Sequence, residues 1–267
     1  MRFLATLLFF SLLSLFVAHA MASVKLPFGL GELPTMAPER LRRRAEAARK
    51  RLERIDTPLT RSPSAMMSLA RAFGEVAGGG CDPNVCFALD GSRTINSTNF
   101  QLQKDFVKLV AGVISLDEQS QFAALQYGLR SDVISDLTLD AEDFLLKVDG
   151  AKKVGYRRTF VAFGIFGCIQ QLLKTPFEAN HIVLLGDGDD DILVRHSGFN
   201  AESVAKRFLF SPHNAISAVA VGFSDTSHLE RIVGNPNRVF EVDEWAEVVD
   251  VTAELVEDVC GLDAVEF

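Results

Sequence analysis

Two short stretches of this 267-residue chain place carboxylates and hydroxyls at spacings that can bring them together: Asp90-Gly91-Ser92-Arg93-Thr94 and Gly186-Asp187-Gly188. If the first stretch runs extended, alternate residues share a side, so Asp90, Ser92 and Thr94 offer one carboxylate and two hydroxyls to a single spot. Thr159, at the mouth of an apolar helix, adds another hydroxyl, and Asp187 adds a second carboxylate. These are hard oxygen ligands with no His or Cys among them. Such a set suits Mg²⁺ or Mn²⁺, whereas zinc prefers nitrogen or sulfur. Two carboxylates balance a dication and leave it able to accept one further anion.

Other chemistries are less well supplied. The five histidines (His19, His181, His196, His213 and His228) show neither metal-ligand nor triad spacing. Ser92 has no evident His–Asp pair, which argues against a serine hydrolase. A metal-assisted hydrolase is suggested only by the acidic run Asp187 to Asp191, and no general base or pocket is evident for it.

These residues need elements to position them. From Cys81 onward strands alternate with helices. Val85–Leu89 and His181–Leu185 are short apolar runs of the kind that form buried parallel strands. Thr98-Asn99-Phe100-Gln101 fits a capping box that opens a helix continuing through Phe106, Val110 and Ile114. Phe122–Tyr127 and Val133–Leu139 read as an antiparallel pair, and Ala141–Val148 as a short helix. Thr159–Leu173 is apolar nearly all round, so it predicts an enclosed helix. Further on come a helix at Ala201–Phe210, strands at Ile216–Phe223 and Val239–Val242, and a helix at Ser227–Val233. A last long helix runs from Trp245 to Val259. The pattern predicts an α/β fold: a doubly wound, mainly parallel sheet with one antiparallel edge strand and helices on both faces. In such sheets sites form at the carboxyl ends of strands, which is where Asp90 and Asp187 stand.

Charge divides the chain. Residues 21–80 carry 11 basic and 6 acidic residues, whereas residues 81–267 carry 15 basic and 29 acidic, a balance of −14. An acidic folded part opposes a nucleic-acid partner. Residues 1–20, with Arg2, the apolar run Phe3–Val17 and Ala18-His19-Ala20, read as a secretory signal peptide. No other anchor is expected after its cleavage. Residues 21–80 read as a basic arm, helical over Glu39–Ile55, followed by a Gly/Pro linker. Residues 81–267 form the domain. The arm is expected to act as a solvated spacer, with a processing site at Arg40–Arg44 or docking on an acidic surface as alternatives.

The string FALDGSRT, with Thr159 and VLLGDG following in order, resembles the von Willebrand factor type A domain of integrins, matrilins and collagens. The resemblance covers about Cys81 to Cys260. It implies a metal-ion-dependent adhesion site on Asp90, Ser92, Thr94, Thr159 and Asp187, holding a Mg²⁺ whose open position takes an acidic side chain of a partner. It also implies a role in extracellular adhesion or complex assembly rather than turnover. Three departures stand out: Thr94 replaces the usual Ser, Arg157-Arg158 replaces a small Gly-containing stretch, and Gly186 replaces the usual Thr. Two guanidinium groups weaken cation binding unless they turn outward or pair with Asp189 to Asp191.

By the same resemblance, Cys81 and Cys260 are expected to close the domain with a disulfide. Cys86 and Cys168 fall in buried elements and are expected to be free core thiols; a second bridge requires their Cα atoms to come within reach. Asn96-Ser97-Thr98 is the sole glycosylation sequon, at the start of the first helix. The reading is a secreted, extracellular, non-enzymatic module that binds a protein ligand presenting Asp or Glu through Mg²⁺. Its runner-up is a structural interaction module with a degenerate, empty site.

Overall fold

The structure, a computed structural model, describes residues 81–115, 119–175, 179–187, 199–222 and 225–261. The leader at 1–20, the arm at 21–80 and the acidic run Asp189–Asp191 lie outside the described residues.

Six strands form one sheet: β1 (Asn84–Asp90), β2 (Gln121–Tyr127), β3 (Ser131–Thr138), β4 (Asn180–Gly186), β5 (Asn214–Val221) and β6 (Val239–Val242). Their order is β3-β2-β1-β4-β5-β6, with every pairing parallel except β2 with β3. The helices are α1 (Ser97–Ile114), α2 (Ala141–Gly150), α3 (Val161–Leu172), α4 (Ala201–Phe208), α5 (Ser227–Val233) and α6 (Thr252–Val259). The predicted α/β architecture is the one observed.

Pleating explains why the central strands are apolar throughout. Along β1, Val85, Phe87 and Leu89 face a core shared with α1, α2 and α6, while Cys86 and Ala88 face a second core shared with α3, α4 and α5. Both faces are covered, so neither register of the alternation can be polar.

Four local expectations are corrected. The first helix is capped by Asn96, whose side chain accepts from Asn99 N at 2.8 Å, and not by a box beginning at Thr98. The apolar helix begins at Val161, which leaves Thr159 and Phe160 in the preceding loop. The last helix is broken: Trp245–Glu247 is a single 3₁₀ turn, and the α-helix begins only at Thr252. The β-branched run Val248, Val249, Val251 and Thr252 disfavours a continuous helix, yet Trp245, Val248 and Val249 still bury into the first core.

The fourth correction concerns the cysteines. Cys81 and Cys260 form the expected bridge, with Cα atoms 4.9 Å apart, but Cys86 and Cys168 also form one at 5.5 Å. β1 and α3 pack closely enough in the second core to bring both Cβ atoms within bonding reach, a proximity that sequence spacing does not reveal. Replacing Cys86 and Cys168 together by alanine should lower unfolding stability by about 2–4 kcal/mol. Urea denaturation checks this, alongside peptide mapping under non-reducing conditions.

Candidate metal centre

β1 is the point at which the chain reverses its direction of winding, with β2 on one side and β4 on the other. The crevice at the carboxyl end of such a reversal is where α/β sheets accept ligands. Asp90 is the last residue of β1, and Asp187 directly follows β4.

The first loop is tightly organised. Asp90 is fully buried, and its Oδ1 accepts from Ser92 N at 2.7 Å. Ser92 Oγ and Thr94 Oγ1 are hydrogen-bonded at 2.8 Å, so these two hydroxyls lie side by side. Beneath it Gln103 of α1 clamps the Asp90 backbone. Its Oε1 accepts from Asp90 N at 2.9 Å, and its Nε2 donates to Asp90 O at 3.2 Å. Gln103 is fully buried among apolar neighbours. A lone amide on the apolar face of α1 was the signal that could have revealed it.

The loop carrying Thr159 is held against the first. Tyr156 N donates to Gly91 O at 3.0 Å, and Arg93 N donates to Tyr156 O at 2.8 Å. Phe160 N then reaches Gly128 O at 3.2 Å. Gln126 secures the same loop from β2, accepting from Val154 N and donating to Lys152 O, each at 3.0 Å. The Tyr156 ring lies flush on Gly128, where an added Cβ would meet it at 2.2 Å, so only glycine permits that approach. Thr159 is buried in this loop, whereas Arg157 and Arg158 are exposed.

Gly186 has a local cause. A Cβ there would lie 2.7 Å from the Tyr127 hydroxyl and 3.5 Å from Asp90 Oδ2. Tyr127 donates from that hydroxyl to Leu185 O at 3.1 Å and occupies the space a larger residue would need. Gly186→Ala should therefore cost about 1–3 kcal/mol through overpacking. Adding Tyr127→Phe should recover part of that loss, and a double-mutant cycle by chemical denaturation measures the coupling.

Electrostatics sets these carboxylates apart. Asp90 Oδ2 and Asp187 Oδ1 are both buried and have no hydrogen-bond partner among the described residues. Burial, and then the negative charge of Asp187, push the Asp90 carboxyl up from 3.8 to about 7, against the pull of Ser92 and Lys153. Buried charge without a counter-charge is costly, and a bound cation is one way to relieve it. The donor set fits a hard dication: two carboxylates with unused oxygens, and hydroxyls from Ser92, Thr94 and Thr159. Among the described residues no group of three or more His, Cys, Asp and Glu is placed to hold a metal. The candidate site therefore depends on hydroxyls completing a carboxylate pair.

Asn96 is exposed, and its Oδ1 is engaged in capping α1. That leaves Nδ2, the atom to which a glycan is attached, outside the capping bond.

Residues 84–254 match the family model of the von Willebrand factor type A domain. No curated protein sequence matches. Among solved structures, proximal thread matrix protein 1 from the mussel byssus is similar at 19% identity and a TM-score of 0.60, covering 67% of this chain and 48% of that one. The same mussel protein with a zinc-occupied MIDAS motif matches at 21% identity and a TM-score of 0.59, covering 67% and 46%. The vWF domain of the type V pili tip protein Mfa5 from Porphyromonas gingivalis matches at 11% identity and a TM-score of 0.55, covering 70% and 98%. The chain thus spans about half the length of the mussel protein. At these identities the likeness is one of fold.

Proposed function

Because the chain belongs to the von Willebrand factor type A domain family, we propose that it is a binding module which takes an acidic side chain of a protein partner through a divalent cation. The observation that carries this reading is the pair of buried carboxylate oxygens, Asp90 Oδ2 and Asp187 Oδ1, which have no hydrogen-bond partner among the described residues at the sheet's reversal point. Asp90, Ser92, Thr94, Thr159 and Asp187 would hold Mg²⁺ or Mn²⁺, and the ion when bound supplies a positive centre for a foreign carboxylate. Gln103 fixes the Asp90 backbone, and Gln126 with Tyr156 fixes the loop that presents Thr159. The role is binding, not turnover, in extracellular adhesion or matrix assembly.

Two disulfides suit an oxidising compartment, and among the described residues no helix is long and apolar enough to cross a membrane. Both are consistent with a secreted protein in which residues 1–20 are a leader, 21–80 a basic spacer and 81–267 the binding domain. Glycosylation at Asn96 belongs to the same proposal.

The test is a magnesium titration of the full chain by calorimetry. Asp187→Ala should lower affinity by more than the roughly 10–100-fold that loss of an outer-shell partner costs, with the folded spectrum unchanged. Equal heats from the wild type and the variant would instead favour a module that binds its partner without metal.

A further inference from the structure

Two of the described loops at the candidate metal centre carry exposed arginines. Residues 81–267 carry a balance of −14, yet Arg93, Arg157 and Arg158 are exposed on the two loops that carry Ser92, Thr94 and Thr159. Next to this basic rim is an aromatic cluster at the start of α3. The Phe160 and Phe163 rings are 5.9 Å apart, Phe163 and Phe199 5.3 Å, and Phe166 and Phe199 5.8 Å. Phe166 is 40% exposed and Phe199 37%. A phenylalanine that open to water, seated on other rings, loses little freedom when it is covered, which is how interface anchors are built.

We propose that this rim is a docking surface for a short acidic segment of a partner protein. The segment sets one carboxylate at the ion, a second acidic side chain on Arg93 or Arg157, and an aromatic or aliphatic side chain on the Phe163–Phe166–Phe199 cluster. The inference rests on the metal-binding reading for its first anchor and adds the two that confer selectivity. Arg93 and Arg157 attract an acidic side chain, while the negative charge of the domain as a whole disfavours a long polyanion. Geometry sets the spacing. Phe163 and Phe166 stand four and seven residues beyond Thr159, past the loop residue Phe160 and into α3, a reach of about two to three residues of extended peptide.

Synthetic extended peptides test this, each with a fixed Asp and a Phe stepped along it, with and without a second acidic residue. Binding to the full chain is measured by fluorescence anisotropy in magnesium. Peptides with Phe two or three residues from Asp should bind about tenfold tighter than peptides lacking Phe. Phe166→Ala should erase that preference, and Arg157→Ala should erase the preference for the second acid. Leu173→Ala, at the far end of α3 and 68% exposed, should change neither. The Phe166 variant should not alter the calorimetric binding of magnesium alone. If magnesium binds but peptides with and without Phe bind alike, the docking surface is overturned and the metal site stands. If magnesium gives no heat while the Phe166-dependent preference persists in EDTA, the metal reading fails and the surface remains.

Discussion

Replacing Asp90 by asparagine should stabilise the metal-free protein at pH 8 by about 4 kcal/mol and abolish its response to magnesium. Proton linkage sets the sign. In the unfolded chain this carboxyl releases its proton near 3.8; in the fold, burial and the neighbouring charge of Asp187 hold the proton until about 7. The folded state therefore binds more protons across that window, and stability falls as pH rises from about 4 to about 7. Each unit of separation is worth about 1.4 kcal/mol, so the ionised carboxylate costs the metal-free fold several kcal/mol above pH 7. Asparagine keeps an oxygen where Asp90 Oδ1 accepts from Ser92 N, and removes the charge. Urea denaturation in EDTA should show the variant ahead at pH 8 and level with the wild type at pH 4.

Magnesium should reverse the order. A bound dication offsets the buried charge in the wild type and does little for the variant, so magnesium should raise wild-type stability far more at pH 8 than at pH 5, where protons compete for the same oxygen. A variant less stable than the wild type at pH 8 in EDTA would mean that the Asp90 carboxylate already has a counter-charge, and the case for a cation would lose its main support.

How far the sequence reveals this arrangement depends on the range of the interaction. The succession of strands and helices along the chain follows from local periodicity, and Val85 to Leu89 or His181 to Leu185 can be read without any partner in view. The two loops that end β1 and β4 are legible for the same reason, since Asp90 and Asp187 each follow directly on an apolar run. Contacts across the fold are not written in spacing. Nothing near Gly186 in the chain announces that the Tyr127 hydroxyl fills the space beside it. Cys86 and Cys168, 82 residues apart, meet only because β1 and α3 stack. Only the assembled loops give the amides of Gln103 and Gln126 something to hold. At the last helix local reading failed in the opposite direction. A continuous apolar stripe from Trp245 to Val259 suggested one helix, but the same residues reach the core through a 3₁₀ turn and a shorter helix.

His181 should make the same protein sensitive to acid from the opposite end of the sheet. It stands near the start of β4, where its Nε2 lies 2.6 Å from Ser217 Oγ of β5. The Ser217 hydroxyl donates to Asp258 Oδ2 of α6 in a short hydrogen bond, so it can only accept from His181, which fixes the neutral ring with its proton on Nε2. Asp258 lies 3.6 Å from that nitrogen, but it is already paired with Arg238 Nε at 2.7 Å and has little charge to spare for an imidazolium. Burial, reinforced by the positive charge of Arg238, holds His181 at about 3, against 6.5 for the free side chain. The unfolded chain therefore takes up this proton first, and stability is lost as pH falls from about 6.5 toward 3, at about 1.4 kcal/mol per unit. In EDTA the opposite slope of Asp90 masks much of this loss between pH 4 and 6.5. With magnesium bound, Asp90 no longer gains a proton in that range and the His181 slope should stand alone. Urea denaturation in saturating magnesium should then show a loss of about 2 kcal/mol between pH 6.5 and 4.5. His181→Gln, which keeps an N–H donor for Ser217 but does not titrate, should flatten that slope; an unchanged slope would place the acid-sensitive group elsewhere in the molecule.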